Sequence, residues 1–229
     1  MITVCAGALA AGVGAQVPLS KEPRHTVVYE NADLRILDVN IPPKETTLDH
    51  VHDHDIVTVS MGGETTTRTQ SPGQAWSAPR PPRALGQATI SDYAGQPGSH
   101  RVENLGGRPY QLFAVENLRR SGWSTGRIIP VLVKAVAAES RAFKVYDVRL
   151  GRAAPQTSHT HAVPTVVVVL AGAVMSDGPD AQAKANAPAP VGLKQLDRPG
   201  QWLLVPRGDT HHLVRLGTGD ARVVEIEVR

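Results

Sequence analysis

Apolar positions along this chain come in short runs at the spacing of β-strands. Leu34 to Ile41, Val57 to Met61, Val145 to Leu150 and Val223 to Val228 alternate or nearly alternate with polar residues, and Val166 to Leu170 is continuously apolar. Alternation places every second side chain on one face of a strand, and a short apolar run fits a strand buried on both faces. Between the runs lie long segments of turn-forming residues, Gly62 to Gly98 and Ser176 to Gly200. The Ala/Pro/Gly/Asp stretch around Pro179 to Pro190 predicts an exposed excursion. No long stripe at helical spacing is present, so the predicted fold class is all-β.

The chain also repeats itself. At an offset of 109, Asp38-Val39 aligns with Asp147-Val148, Ile41 with Leu150, and Gly63 with Gly172. After the loops the offset is 111, aligning His100 with His211, Val115 with Ile226 and Glu116 with Glu227. Two β domains follow, 16–120 and 121–229, with Leu118 to Arg127 as the passage between them and Ile128 to Ala138 opening the second. A chain of 229 residues with 41% hydrophobic content is long enough for two cores of this size.

Composition narrows the function. The net charge of +3 is spread over the chain, with no dense basic run, which argues against nucleic acid as a partner. The only cysteine, Cys5, falls in the apolar, uncharged stretch Met1 to Ala15, which is too short to span a bilayer and predicts no stable membrane insertion. That stretch suits the apolar core of a secretory signal with Val13 and Ala15 before a cleavage point, although no Lys or Arg precedes it. The expectation is a signal peptide over residues 1–15 and a periplasmic or secreted mature chain, or a cytoplasmic one if the run is not a signal. No Cys/His/Ser triad suggests hydrolysis, and if the chain is exported its only cysteine is lost with the signal, which leaves no thiolate nucleophile.

The repeat carries the chemistry in its histidines. His50-x-His52 is followed by His100, and His159-x-His161 by His211. Neutral imidazole is the commonest metal ligand near pH 7. Two rings on one face of a strand and a third from a later strand make a facial set that leaves coordination positions open. A structural zinc site would normally be closed by a fourth protein ligand, so an open set points to catalysis.

These residues resemble the two short motifs of the cupin superfamily, and the duplication resembles a bicupin. The first motif, G-x5-H-x-H-x3,4-E-x6-G, is matched by His50, His52 and Gly63 and again by His159, His161 and Gly172. The second, G-x5-P-x-G-x2-H-x3-N, is matched by His100 and Asn104, and by Gly200, Pro206, Gly208 and His211. The resemblance covers nearly all of the chain after residue 25 and implies two tandem jelly-roll β-barrels, each with a metal between its histidines. Both halves depart from the motif at its glutamate ligand, where Ile56 and Thr165 stand. Gly95 and Pro97 are out of step in the first half, and Arg215 replaces the motif asparagine in the second.

Two neutral three-histidine centres are therefore expected, each leaving a divalent ion at about +2 and favouring an anionic, chelating small molecule. His54 has the parity of His50 and His52 and is a candidate further metal ligand; Asp55 is a weaker one, with a supporting role as the alternative. Arg215 shares the parity of His211 and is the candidate clamp for a substrate carboxylate, with a surface ion pair as the alternative. His212 and His25 read as surface histidines, Glu116 and Glu227 as structural repeats, and Trp76, Trp123 and Trp202 as packing anchors. Similar three-histidine iron sites in this superfamily belong to thiol, diketone and aromatic-ring dioxygenases. The resemblance thus implies an oxygenase-type enzyme with Fe(II), while Mn, Ni, Zn or Cu also suit imidazole. The alternative is an exported metal- or ligand-binding protein without turnover. A homodimer is compatible with either reading.

Overall fold

The computed structural model describes residues 16–119, 135–151, 158–177, 191–192 and 195–229. The apolar run Met1 to Ala15, most of the passage between the halves, Trp123 and the whole of the 179–190 excursion lie outside the described residues. Among the described residues there is no α-helix, and a single 3-10 turn occupies Leu19–Lys21.

The first half contains β1 (Val17–Pro18), β2 (His25–Glu30), β3 (Leu34–Ile41), β4 (His50–His52), β5 (Asp55–Ser60), β6 (Thr67–Gln70), β7 (Ala88–Ser91), β8 (Gly98–Asn104) and β9 (Tyr110–Asn117). The second contains β10 (Ala135–Glu139), β11 (Phe143–Leu150), β12 (His159–Thr160), β13 (Thr165–Ala171), β14 (Ala173–Asp177), β15 (Val191–Gly192), β16 (Gln195–Leu196), β17 (Trp202–Val205), β18 (Thr210–Leu216) and β19 (Ala221–Val228). Each of the five runs read from the sequence forms or lies largely within one of these strands.

Strand order demonstrates the duplication independently of residue identity. One sheet of the first half runs β2-β3-β9-β5-β7, and its counterpart runs β10-β11-β19-β13-β17 with β15 added at the edge. The facing sheets run β1-β4-β8-β6 and β12-β18-β14-β16. In both halves the strand carrying His-x-His pairs antiparallel with the strand carrying the third histidine, in matching register: His50 opposite His100, and His159 opposite His211.

Alternation along the long strands sorts side chains between two environments. Leu37, Val39, Ile41, Leu112 and Ala114 line the interior of the first barrel, and Val148, Leu150, Val167, Val169 and Val223 that of the second. The intervening residues, among them Ile36, Val115, Val145, Val166, Val224 and Ile226, form one cluster shared by both halves. The large sheets thus pack back to back, which is why β13 is apolar on both faces and reads as an unbroken Val run, while β19 gives Val224, Ile226 and Val228 to the shared cluster. Asn117 adds a polar tie across this seam by donating through Nδ2 to the Arg229 carbonyl at 2.6 Å.

The repeated glycine of the first motif has a local cause. Gly63 and Gly172 both sit at positive φ, +93° and +72°, and a Cβ at either would lie 2.5 Å from a backbone carbonyl oxygen, of Pro109 or Asp220. Only glycine satisfies both the left-handed backbone and this close approach.

Candidate metal centres

β4 and β8 bring the first triplet together. Ring centroids of His50 and His52 lie 5.0 Å apart, and each lies 4.8 Å from that of His100. One donor atom from each ring lies within 4.8 Å of the others. The His50 Nδ1–H donates to the Leu48 carbonyl at 2.9 Å, which leaves the Nε2 lone pair to face the cluster. Both ring nitrogens of His52 are buried and have no protein partner. Such orphaned groups are costly, by about 1–3 kcal/mol each, and a ligated cation would relieve one of them. His52 is sandwiched between Tyr93, stacked at 4.6 Å and 22°, and His100, at 4.8 Å and 23°.

Burial and, next, the fields of neighbouring imidazoles lower these rings to about 4 for His50, about 2 for His52 and about 3 for His100. They are neutral at pH 7, the state that ligates.

β12, β18 and the final strand β19 build a richer centre in the second barrel. His161 Nε2 and His211 Nε2 are 3.0 Å apart, about the separation of two nitrogens each at about 2.1 Å from one ion and at a right angle to each other. Glu225 Oε2 lies 3.6 Å from Nε2 of both His159 and His161. All four residues are buried, and their donor atoms lie within 4.8 Å of one another. Behind them Glu227 Oε1 accepts from His161 Nδ1 at 3.0 Å, and Tyr146 donates its hydroxyl to Glu227 Oε2 at 3.3 Å. A carboxylate on the far nitrogen fixes the tautomer and turns Nε2 toward the centre. The return turn is pinned as well, because the Gly208 N–H donates to the His161 carbonyl at 2.9 Å.

Glu225 changes the expectation of two neutral centres. The motif's own slot, Thr165, holds no carboxylate; Glu225 supplies one from β19, where it stands opposite Val167 and Tyr146. The equivalent residue in the first barrel is Ala114, opposite Thr58 and Leu37. The signal was available: Glu225-Ile226-Glu227 puts two carboxylates at inward parity on a strand whose other inward residues, Ala221 and Val223, are apolar. Glu227 likewise contacts a candidate ligand, where its sequence position suggested only a structural repeat.

Several expected residues fall elsewhere. His54 is not grouped with His50, His52 and His100, because β4 ends at His52 and the bend at 53–54 breaks the parity on which the expectation rested. Its Nδ1 lies instead 2.8 Å from Asp53 Oδ1. Asp55 is buried and structural, accepting from the Ala94 N–H at 2.8 Å and meeting Arg141 at 3.4 Å. Arg215 keeps the parity of His211, but its guanidinium donates to the carbonyls of Gly217 and Gly219 at 2.6 and 2.8 Å. It pins the turn after β18 much as the buried Asn104 amide, bonded to the Arg108 carbonyl at 2.7 Å, pins the turn after β8.

His25, expected on the surface, instead flanks the first triplet with its ring 4.8 Å from that of His50. Its Nδ1 is paired with the buried Glu22, which also accepts from the N–H groups of Arg24 and Leu48. Burial pushes the Glu22 carboxyl up, and these contacts outweigh it, leaving the group below the usual range. The aligned position in the second half is Lys134, so the repeat gave no sign of this residue. Trp76 lies under Arg68 and Arg101, and Trp202 packs on Tyr29 across the seam.

No protein-family model matches the chain, and no curated protein matches it in sequence. Solved structures do match. A cupin 2 conserved barrel domain protein from Leptotrichia buccalis superposes with a TM-score of 0.52 at 10% identity, over 90% of this chain and 88% of that one. The pirin YhhW from Escherichia coli, in complex with nickel(II), gives 0.58 at 17% identity over 89% and 90%. An oxalate decarboxylase gives 0.56 at 11% identity over 89% and 72%. The chain shares the cupin fold of these structures, with two β-barrels in one chain. Its histidine clusters have the donor chemistry to hold divalent metal ions.

Proposed function

We propose that the chain is a metal-dependent bicupin enzyme whose reaction centre lies in the second barrel, and that it acts on a small anionic organic molecule by oxygenase-type chemistry. The observation that carries this reading is the convergence of His159, His161, His211 and Glu225, all buried, with donor atoms within 4.8 Å of one another. A divalent ion held there supplies Lewis acidity and, if it is iron, the redox step. Three neutral rings and one carboxylate leave such a centre near +1, which still favours an anionic ligand. Glu227 holds the proton of His161 at Nδ1, Tyr146 holds Glu227, and Val148, Leu150, Val167, Val169 and Leu213 keep the surrounding wall apolar. The first triplet, without a carboxylate, is a second metal position with a supporting role. Fe(II) is the favoured ion, and the apolar Met1 to Ala15 run supports export of the mature chain.

The test is oxygen uptake by protein loaded anaerobically with Fe(II), against catechols, hydroxybenzoates, β-diketones and thiols. Uptake with one class, abolished by His161→Ala and retained in His52→Ala, supports the proposal. A loaded protein silent toward every class contradicts it and leaves the second reading, a metal- or ligand-binding protein without turnover. That reading is favoured by the first triplet, which has kept its histidines without any carboxylate ligand.

A further inference from the structure

Asp53 and His54 lie at the bend between β4 and β5, and neither belongs to the triplet beside them in sequence. They meet Glu116 on β9, and one donor atom from each of the three lies within 4.8 Å of the others. The His54 Nδ1 to Asp53 Oδ1 distance is 2.8 Å. Glu116 is fully buried. Its Oε2 accepts from Arg35 Nη1 at 2.6 Å, whereas its Oε1 is buried with no partner. One oxygen supported by a hydrogen bond and the other left bare is the arrangement of a ligating carboxylate with its outer support in place.

Charge points the same way. The single charge of Arg35 is shared between Glu116 and Glu30, the latter accepting from Nε at 2.6 Å, and the field of Lys21 falls on Glu30. Among the described residues, Asp53 is paired with its neighbour His54 alone. Among the described residues the second barrel has no equivalent cluster: Ala162 and Val163 stand where Asp53 and His54 do, and Glu227 is engaged by His161. Glu116, in the matching strand position, makes no bond to His52, whose ring nitrogens have no partner.

We infer that Asp53, His54 and Glu116 form a further divalent-cation site in the first barrel, distinct from the histidine triplet, with Arg35 supporting Glu116. Two carboxylates and one imidazole suit a transition-metal dication such as zinc or manganese better than calcium, which takes six or more oxygens. Asp53 is exposed, so this site exchanges with solvent and binds more weakly than the buried triplets.

Zinc is the probe. Full-length protein equilibrated with Zn(II) and assayed for metal content is expected to take up one equivalent beyond those held by the barrel triplets. His54→Ala, which lies at the bend between β4 and β5 and leaves all three triplet histidines unchanged, is expected to weaken that equivalent at least tenfold while leaving the triplet zinc in place. Glu116→Gln is expected to weaken it too, whereas His52→Ala removes a triplet equivalent and spares it. The inference is overturned if no extra equivalent binds, or if it binds to His54→Ala as it does to the wild type. Either result leaves the account of the triplets standing, since their loss is read separately in His52→Ala and His161→Ala.

Discussion

Glu225 and Ala114 occupy equivalent inward positions on the last strand of their barrels, so two otherwise matching histidine triplets differ by one carboxylate. Glu225→Gln keeps the shape and removes the charge. Metal affinity of the second barrel is expected to fall at least 10–100-fold, the range seen when even an outer contact of a ligand is lost, with the first barrel unchanged. Metal competition with a chromophoric chelator resolves the two classes of site, and equal affinity in the variant and wild type would remove Glu225 from the ligand set.

Glu227 is expected to act through His161. Glu227→Ala should lower affinity at the second site by roughly 10–100-fold and alter the visible spectrum of the Co(II)-substituted protein. Tyr146→Phe, which removes one neutral hydrogen bond to Glu227, should have a smaller effect of the same sign. An unchanged Co(II) spectrum in Glu227→Ala would reduce that residue to packing.

Acid stability follows from the first triplet. An unfolded chain protonates these histidines near pH 6.5, whereas in the fold burial holds them neutral down to about 4, 2 and 3. From pH 6.5 down to about 4 the unfolded state therefore binds more protons, and stability falls with pH by up to about 4 kcal/mol per unit if all three rings count. Above that window they contribute no slope. Denaturant midpoints of metal-free protein at pH 7.5, 6 and 5 check this; a midpoint that rose on acidification would contradict it.

Gly172→Ala places a Cβ 2.5 Å from the Asp220 carbonyl at a positive φ, and is expected to cost more than about 2 kcal/mol, as is Gly63→Ala against Pro109. Arg215→Ala is expected to loosen the turn after β18 by about 1 kcal/mol. Ligand and metal affinity should be unchanged, and a large loss of either would restore the clamp.

Strand periodicity and the doubled motif made the fold and the six clustered histidines legible, because both are local patterns repeated at a fixed offset. What they left out depends on contacts between distant strands. Glu225 lies 64 residues beyond His161 and has no counterpart in the repeat. His25 reaches the first triplet only because β2 starts beside it. His54 and Arg215 differ from expectation for separate reasons: the strand ends at His52, so parity no longer holds at His54, whereas Arg215 keeps its parity and its long side chain ends on the carbonyls of the following turn.

The central claim is that the second barrel holds a metal through His159, His161, His211 and Glu225. It is tested most directly by elemental analysis of untagged protein loaded anaerobically with iron and dialysed against metal-free buffer, beside His52→Ala and His161→Ala. The account predicts about two retained ions per chain, falling to about one in each variant. A wild-type chain that retains no metal, or a His161→Ala variant that retains as much as the wild type, would contradict it.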